Sequence, residues 1–85
     1  MKLWLITQTV NTGFETFEGA VVAAQTEEEA RRTHPNDDYI AGQWIGCDPN
    51  DESWAELPEQ VTVRYLGKAT SDVVAGVILS SYWNA

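Results

Sequence analysis

Over residues 3–10 the apolar side chains are crowded at the start and alternate toward the end. Trp4, Ile6 and Val10 fall on one face of an extended chain, and Leu3, Leu5, Thr7 and Thr9 on the other. This pattern predicts a central strand, partly buried on both sides. Asn11, Thr12 and Gly13 tolerate positive φ, and a second apolar run over residues 14–25 follows them, so the two predict a hairpin. Gly19 interrupts the second run where a bulge would sit. Residues 60–66 alternate cleanly, with Val61, Val63 and Tyr65 facing one way and Thr62, Arg64 and Leu66 the other. Residues 77–83 predict a last strand, antiparallel to the preceding one and joined to it through residues 67–76. A further strand is expected over residues 39–46, from Ile40, Trp44 and Ile45, although Gly42 and Gly46 weaken the pattern.

One segment breaks the period of two. Thr26 followed by Glu27, Glu28 and Glu29 forms a capping box, in which Thr26 caps the backbone and Glu29 stands three residues on. Three carboxylates in the first turn suit the positive end of the helix dipole, and Arg31 and Arg32 suit the other end. The helix is expected to stop near Thr33, because Pro35 drives His34 out of the helical region. Its packing face must be narrow, built from Ala30, Thr33 and the aliphatic part of an arginine. Residues 35–38 and 48–58 carry turn chemistry, with at most one helical turn around residues 53–56.

Composition agrees with strand. Eight Val, four Ile and eight Thr outnumber five Leu, a bias toward β-branched residues that suits a pleated sheet. The 85 residues predict a single domain, α+β, with an antiparallel sheet of about four strands in the order ββα(β)ββ and the helix on one face. No apolar run is long enough for a membrane span and no leader pattern is present, so a cytoplasmic protein is expected. Cys47 is the one cysteine, which leaves no internal disulfide.

Charge is unevenly placed. The net −8 averages residues 15–59, which hold twelve of the thirteen acids and two of the five bases for a balance of −10, with flanks at +1 each. Phosphate would be repelled, so direct nucleic-acid binding is not expected. Acidic loops and helix starts are ordinary and keep a small protein soluble. The functional alternative is an electrostatic footprint aimed at a basic groove on another protein, one that ordinarily holds nucleic acid. Glu27, Glu28, Asp37, Asp38, Asp51 and Glu52 are its candidate residues.

Catalytic signals are poor. His34 and Cys47 are each single, no Gly-x-Ser-x-Gly turn exposes a serine, and no glycine-rich phosphate loop is present. A metal site lacks a second His or Cys. Asp48, Asn50, Glu52, Glu56 and Glu59 fall in a calcium-loop register, but Ser53 replaces the turn glycine and Pro49 and Pro58 lie inside it. The chain is expected to be non-enzymatic, without cofactor or metal.

Aromatic residues make up 11% of the chain, more than a thin core should bury. Trp4 is expected in the core. Trp44 and Trp54, flanked by glycines and polar loop residues, are the expected interface anchors, since Trp favours interface centres.

Three stretches carry a family resemblance: residues 1–5 (Met-Lys-Leu-Trp-Leu), residues 20–24 running into 26–31, and residues 65–69 with 76–81. Together they resemble small accessory proteins of bacteriophages and prophages, over about half the chain. The resemblance implies a compact acidic inhibitor of host defence, as anti-CRISPR proteins and DNA mimics are, and it implies no catalytic residues. The leading expectation is therefore a protein-binding inhibitor of a host nucleic-acid-handling complex. One alternative is a phage assembly subunit, a homodimer through the uncharged C-terminal strand. Another is a protein that sequesters a small ligand, with Arg64 as the first candidate contact.

Overall fold

The computed structural model describes residues 1–36 and 38–83. Four strands form one antiparallel sheet: β1 (Lys2–Thr7), β2 (Thr16–Ala24), β3 (Thr62–Lys68) and β4 (Gly76–Trp83). They lie in the order β3-β1-β2-β4. One short helix, α1 (Glu27–Arg31), follows β2, and a 3-10 turn at Pro58–Gln60 precedes β3. The α+β class is thus the one that alternation predicts. Among the described residues, no helix is long and apolar enough to cross a membrane.

Two expectations about strands are corrected. Residues 39–46 form no strand, because Gly42 and Gly46 adopt positive φ and the amides of Tyr39 and Gln43 close turns on Asn36 and Ile40. Of the apolar side chains that suggested a strand, Ile40 and Ile45 are exposed and only Trp44 is buried. Nor does β4 pair with β3. It runs antiparallel to β2, so β3 and β4 are opposite edges and the segment between them crosses the end of the sheet.

The strand register sorts the side chains into two faces. Trp4 stands beside Val22 and Tyr65, and Ile6 beside Ala20 and Val63. With Ala24, Ala30, Trp44, Trp54, Ala55 and Val61, the buried members of this set make the core. Helix α1 and residues 32–36 and 38–61 form the second layer over this face. Leu5, beside Val21 and Arg64, points the other way, as do Leu3 and Leu79. Gly19 lies at a bulge in β2, where a Cβ would sit 2.9 Å from the Ile6 carbonyl oxygen.

Helix α1 has the Thr26 cap that its sequence predicts, while Glu29 closes on the amide before the cap rather than on that of Thr26. Thr26 Oγ1 accepts from the Glu29 amide at 3.2 Å, and Glu29 Oε2 reaches back to the Gln25 amide at 3.1 Å. With five residues it depends on packing, which Ala30 and Thr33 supply by full burial. Arg31 Nη1 donates to the Val61 carbonyl at 2.5 Å and ties the helix to the start of β3.

Candidate functional site

The second layer is held together by one buried polar cluster. His34 is 2% exposed, stacks on Tyr39 at 4.3 Å between ring centroids, and meets Trp44 edge-on at 5.4 Å. Its Nδ1 accepts from the Asn36 amide at 2.9 Å, so the ring proton sits on Nε2 and is donated to Asp51 Oδ2 at 2.5 Å. Asp51 Oδ1 accepts from both the amide and the hydroxyl of Ser53. Tyr39 donates its hydroxyl to Asp48 Oδ2 at 2.8 Å.

Burial holds the His34 imidazole below its ordinary pKa, although Asp51 and Asp48 pull upward. For Asp51, partial burial works upward, but the two Ser53 donors and His34 outweigh it and keep the carboxyl below its ordinary value. The Tyr39 phenol is pushed well up by burial and by the two carboxylates beside it. The cluster is a neutral histidine, an ionised aspartate and a protonated tyrosine: burial keeps the imidazole neutral against the pull of Asp51, and the carboxylates hold the phenol protonated.

Ser53, Asp51 and His34 are not arranged as nucleophile, base and orienter. Ser53 bonds to the carboxylate rather than to the imidazole, and both imidazole nitrogens are occupied. For the same reason His34 has no free nitrogen to activate Cys47, which is exposed. The cluster's work is to tie His34, Asn36, Tyr39, Asp48, Asp51 and Ser53 to one another.

Above it the loops enclose an open groove of about 1030 Å³. One wall is the loop after β1. Gln8 is buried there, donates to the carbonyls of Asn11 and Phe17, and accepts from the amides of Val10 and Asn11. The opposite wall is the loop of residues 47–57, closed at its neck by the Cys47 amide on the Glu56 carbonyl at 2.8 Å. Only glycine fits at position 46 beside that neck: its φ is +85°, and a Cβ would lie 2.6 Å from the Glu56 carbonyl oxygen. The walls are joined by Asn11 Nδ2 on the Trp54 carbonyl at 2.5 Å and by the Phe17 amide on the Ser53 carbonyl at 2.8 Å.

Five carboxylates line this groove, from Glu15, Asp48, Asp51, Glu52 and Glu56, and no lysine or arginine does. Asp48 and Asp51 are committed to Tyr39, His34 and Ser53. Glu15, Glu52 and Glu56 are exposed, and their carboxylates have no hydrogen-bond partner among the described residues. Phe14, on the same lining, is 62% exposed. The two non-glycine residues of positive φ among the described residues, Glu15 and Cys47, both line the groove. Such backbone costs roughly 1 kcal/mol or more per residue and tends to collect at functional sites.

The expected site residues therefore divide. Asp51 and Glu52 meet in the groove. Glu27 and Glu28 do not line it: they lie on α1, paired with Arg31 and Arg32 at 3.5 and 2.8 Å respectively. Asp38 is exposed, outside the groove lining, and Asp37 lies outside the described residues. Trp44 and Trp54 are corrected outright as anchors. They are 3% and 0% exposed, because loop-to-loop hydrogen bonds fold their segments over the sheet, and their rings fill the core. The exposed tryptophan is Trp83, at 47%. Arg64, the candidate ligand contact, stands on the sheet face opposite the helix. The calcium register also dissolves: Asp48 Oδ1 accepts the Asn50 amide, and among the described residues no group of three or more acidic, histidine or cysteine side chains could hold a metal ion. Glu15, Phe14 and Glu56 were missed as members of the site. No local pattern joins them, since they meet only when the two loops close.

No family model, curated protein or solved structure matches this chain.

Proposed function

We propose that this protein is a non-enzymatic binding module that takes a basic surface or segment of a partner protein into its acidic groove. The observation that carries this reading is the convergence of five carboxylates on one concavity free of lysine and arginine, with three of them unspent on internal bonds. A cleft lined by one sign of charge focuses its field outward and speeds encounter with a basic partner. Exposed Phe14 adds an apolar contact beside the carboxylates, and the strained backbone at Glu15 and Cys47 fixes the shape of the rim.

The resemblance to phage accessory proteins extends this to an inhibitor in the bacterial cytoplasm. Its partner would be a defence complex or other nucleic-acid-handling machine whose basic site the groove occupies in place of phosphate. The test is a pull-down from bacterial lysate with the wild-type protein and a Glu15→Lys, Glu52→Lys, Glu56→Lys variant, repeated at rising salt and with duplex DNA as competitor. These three side chains are exposed, so the variant keeps the fold. Loss of the captured protein in the variant, and salt-sensitive capture by the wild type, are expected. Equal capture by both, indifferent to salt, would rule the groove out. Release of the partner by DNA is the result expected of a mimic, and retention in excess DNA would confine the reading to protein binding at another kind of site.

A further inference from the structure

The sheet face turned away from the helix has no covering layer, and we infer that two copies of this chain associate back to back through it, as a two-sheet sandwich. The register places Leu3, Leu5, Val21, Leu79 and Trp83 on this face, with Thr7 and Ser81 among them. Leu79 is 68% exposed and Trp83 47%. Arg64 is the one charged side chain that the register places on it, and Glu18, at the β2 bulge, is exposed without a partner in the ladder. A contiguous apolar face of this kind, uncharged across its centre, is unusual on a monomer and marks a contact surface.

Size favours a specific contact. Four strands spaced about 4.8 Å apart, at about 3.3 Å per residue, make a face of roughly 19 by 25 Å, on the order of 500 Å² per copy and 1,000 Å² for the pair. That reaches the lower bound for specific association.

Charge selects a second copy in this orientation. At −8 per chain, most approaches of two copies bring acids together. The acids of α1 and of the loops over the core, however, lie in the layer on the far side of the sheet. With two sheets stacked about 10 Å apart and each outer layer about as thick again, those acids stand roughly 30 Å apart, several screening lengths in physiological salt. A charged partner of another kind finds little charge to recognise here, whereas a second copy offers the same largely apolar surface by two-fold symmetry.

Faces are favoured over edges. Both edge strands carry an irregularity: Leu66 in β3 and Ile78 in β4 are left without a partner in the ladder. Interrupted edges resist addition of another strand, so a dimer built by pairing two β4 edges is the weaker arrangement.

The experiment is sedimentation velocity over the micromolar range on the wild type, Leu79→Lys, Ile45→Lys and the triple groove variant. Leu79 is too exposed to be needed by the monomer, so Leu79→Lys folds, which circular dichroism verifies. Ile45 is 77% exposed in the other layer and controls for added charge. The wild type, Ile45→Lys and the groove variant should dimerise alike, and Leu79→Lys should weaken the dimer by about 100-fold or more. A wild type that stays monomeric overturns the inference, as does a dimer indifferent to Leu79→Lys. Dimerisation lost only in the groove variant also overturns it, and it would turn the groove into a self-contact. The binding activity of the groove is read separately, by the pull-down.

Discussion

The two faces of the sheet put tryptophan to different uses. On the helix side, Trp4, Trp44 and Trp54 are buried beneath loops that have little regular structure of their own. On the other side Trp83 lies half exposed on the same face of β4 as Leu79, on an uncovered edge strand. Regularity of backbone and burial of side chain are therefore decoupled in this protein. The irregular loops close over the core and carry the groove, while the exposed side chains of edge strand β4 contribute little to the stability of a single copy.

Replacing one tryptophan from each side is the strongest way to break that contrast. Trp54→Ala empties a fully buried site and should cost about 3–5 kcal/mol, most of what a domain this small has. Trp83→Ala, measured on dilute protein, should cost less than about 1 kcal/mol. Urea titrations of the two variants give the comparison directly. Equal losses would mean that the open face is packed as tightly as the covered one, and the division of labour would fail.

Acid sharpens the contrast at the next level of effect, because the titrating groups belong to the covered side. His34 is held below its ordinary pKa of 6.5 in the fold. As pH falls through 6.5 the unfolded chain takes up a proton that the folded chain refuses, so stability declines from there down to the folded-state value. Asp51, also held below its ordinary 3.8, stabilises the fold above that pH, and its contribution is lost on further acidification. Both act in the same direction, each steepening the decline by at most about 1.4 kcal/mol per pH unit. Thermal midpoints followed from neutral to mildly acid pH should fall for the wild type and for Trp83→Ala in parallel, and His34→Gln should flatten the first limb. A wild-type profile that is level through pH 6.5 would show that His34 is not held neutral by its burial.

What could be read from the sequence follows the range of the interactions. Alternation gave the strands to within a few residues, and Thr26 with Glu29 gave the helix start, because both signals are local. The order of the strands was not legible, since residues 69–75 are compatible with either a neighbouring strand or a crossing to the far edge. Trp44 and Trp54 misled for a related reason: their neighbours are glycine, serine and acid, so a window of sequence marks them exposed. Their burial is decided by bonds from distant segments, the Trp44 amide to the Arg32 carbonyl and the Trp54 carbonyl to Asn11. The partnership of His34 with Asp51 spans 17 residues, with no helix or strand among the described residues between them, and leaves no periodic trace. The groove was half legible: Asp51 and Glu52 carry its charge, but Glu15 reaches it only because its amide is bound to the Trp83 carbonyl across the sheet end.

The smallest expected effect separates two kinds of acid. Glu28 is 62% exposed and sits 2.8 Å from Arg32 Nε and 3.8 Å from Arg31 Nε. Such exposed pairs one turn apart are worth about 0.3–0.5 kcal/mol, so Glu28→Gln should lower stability by a few tenths. Glu52 has no such partner among the described residues and shares its groove with four other carboxylates. Glu52→Gln relieves repulsion there and should leave stability unchanged or slightly raised. Partner capture should move the other way, weakening for Glu52→Gln and holding for Glu28→Gln, since the helix acid spends its charge on its own arginines. If both substitutions weakened capture equally, the relevant field would be that of the whole acidic layer, and the groove would lose its claim to be the site.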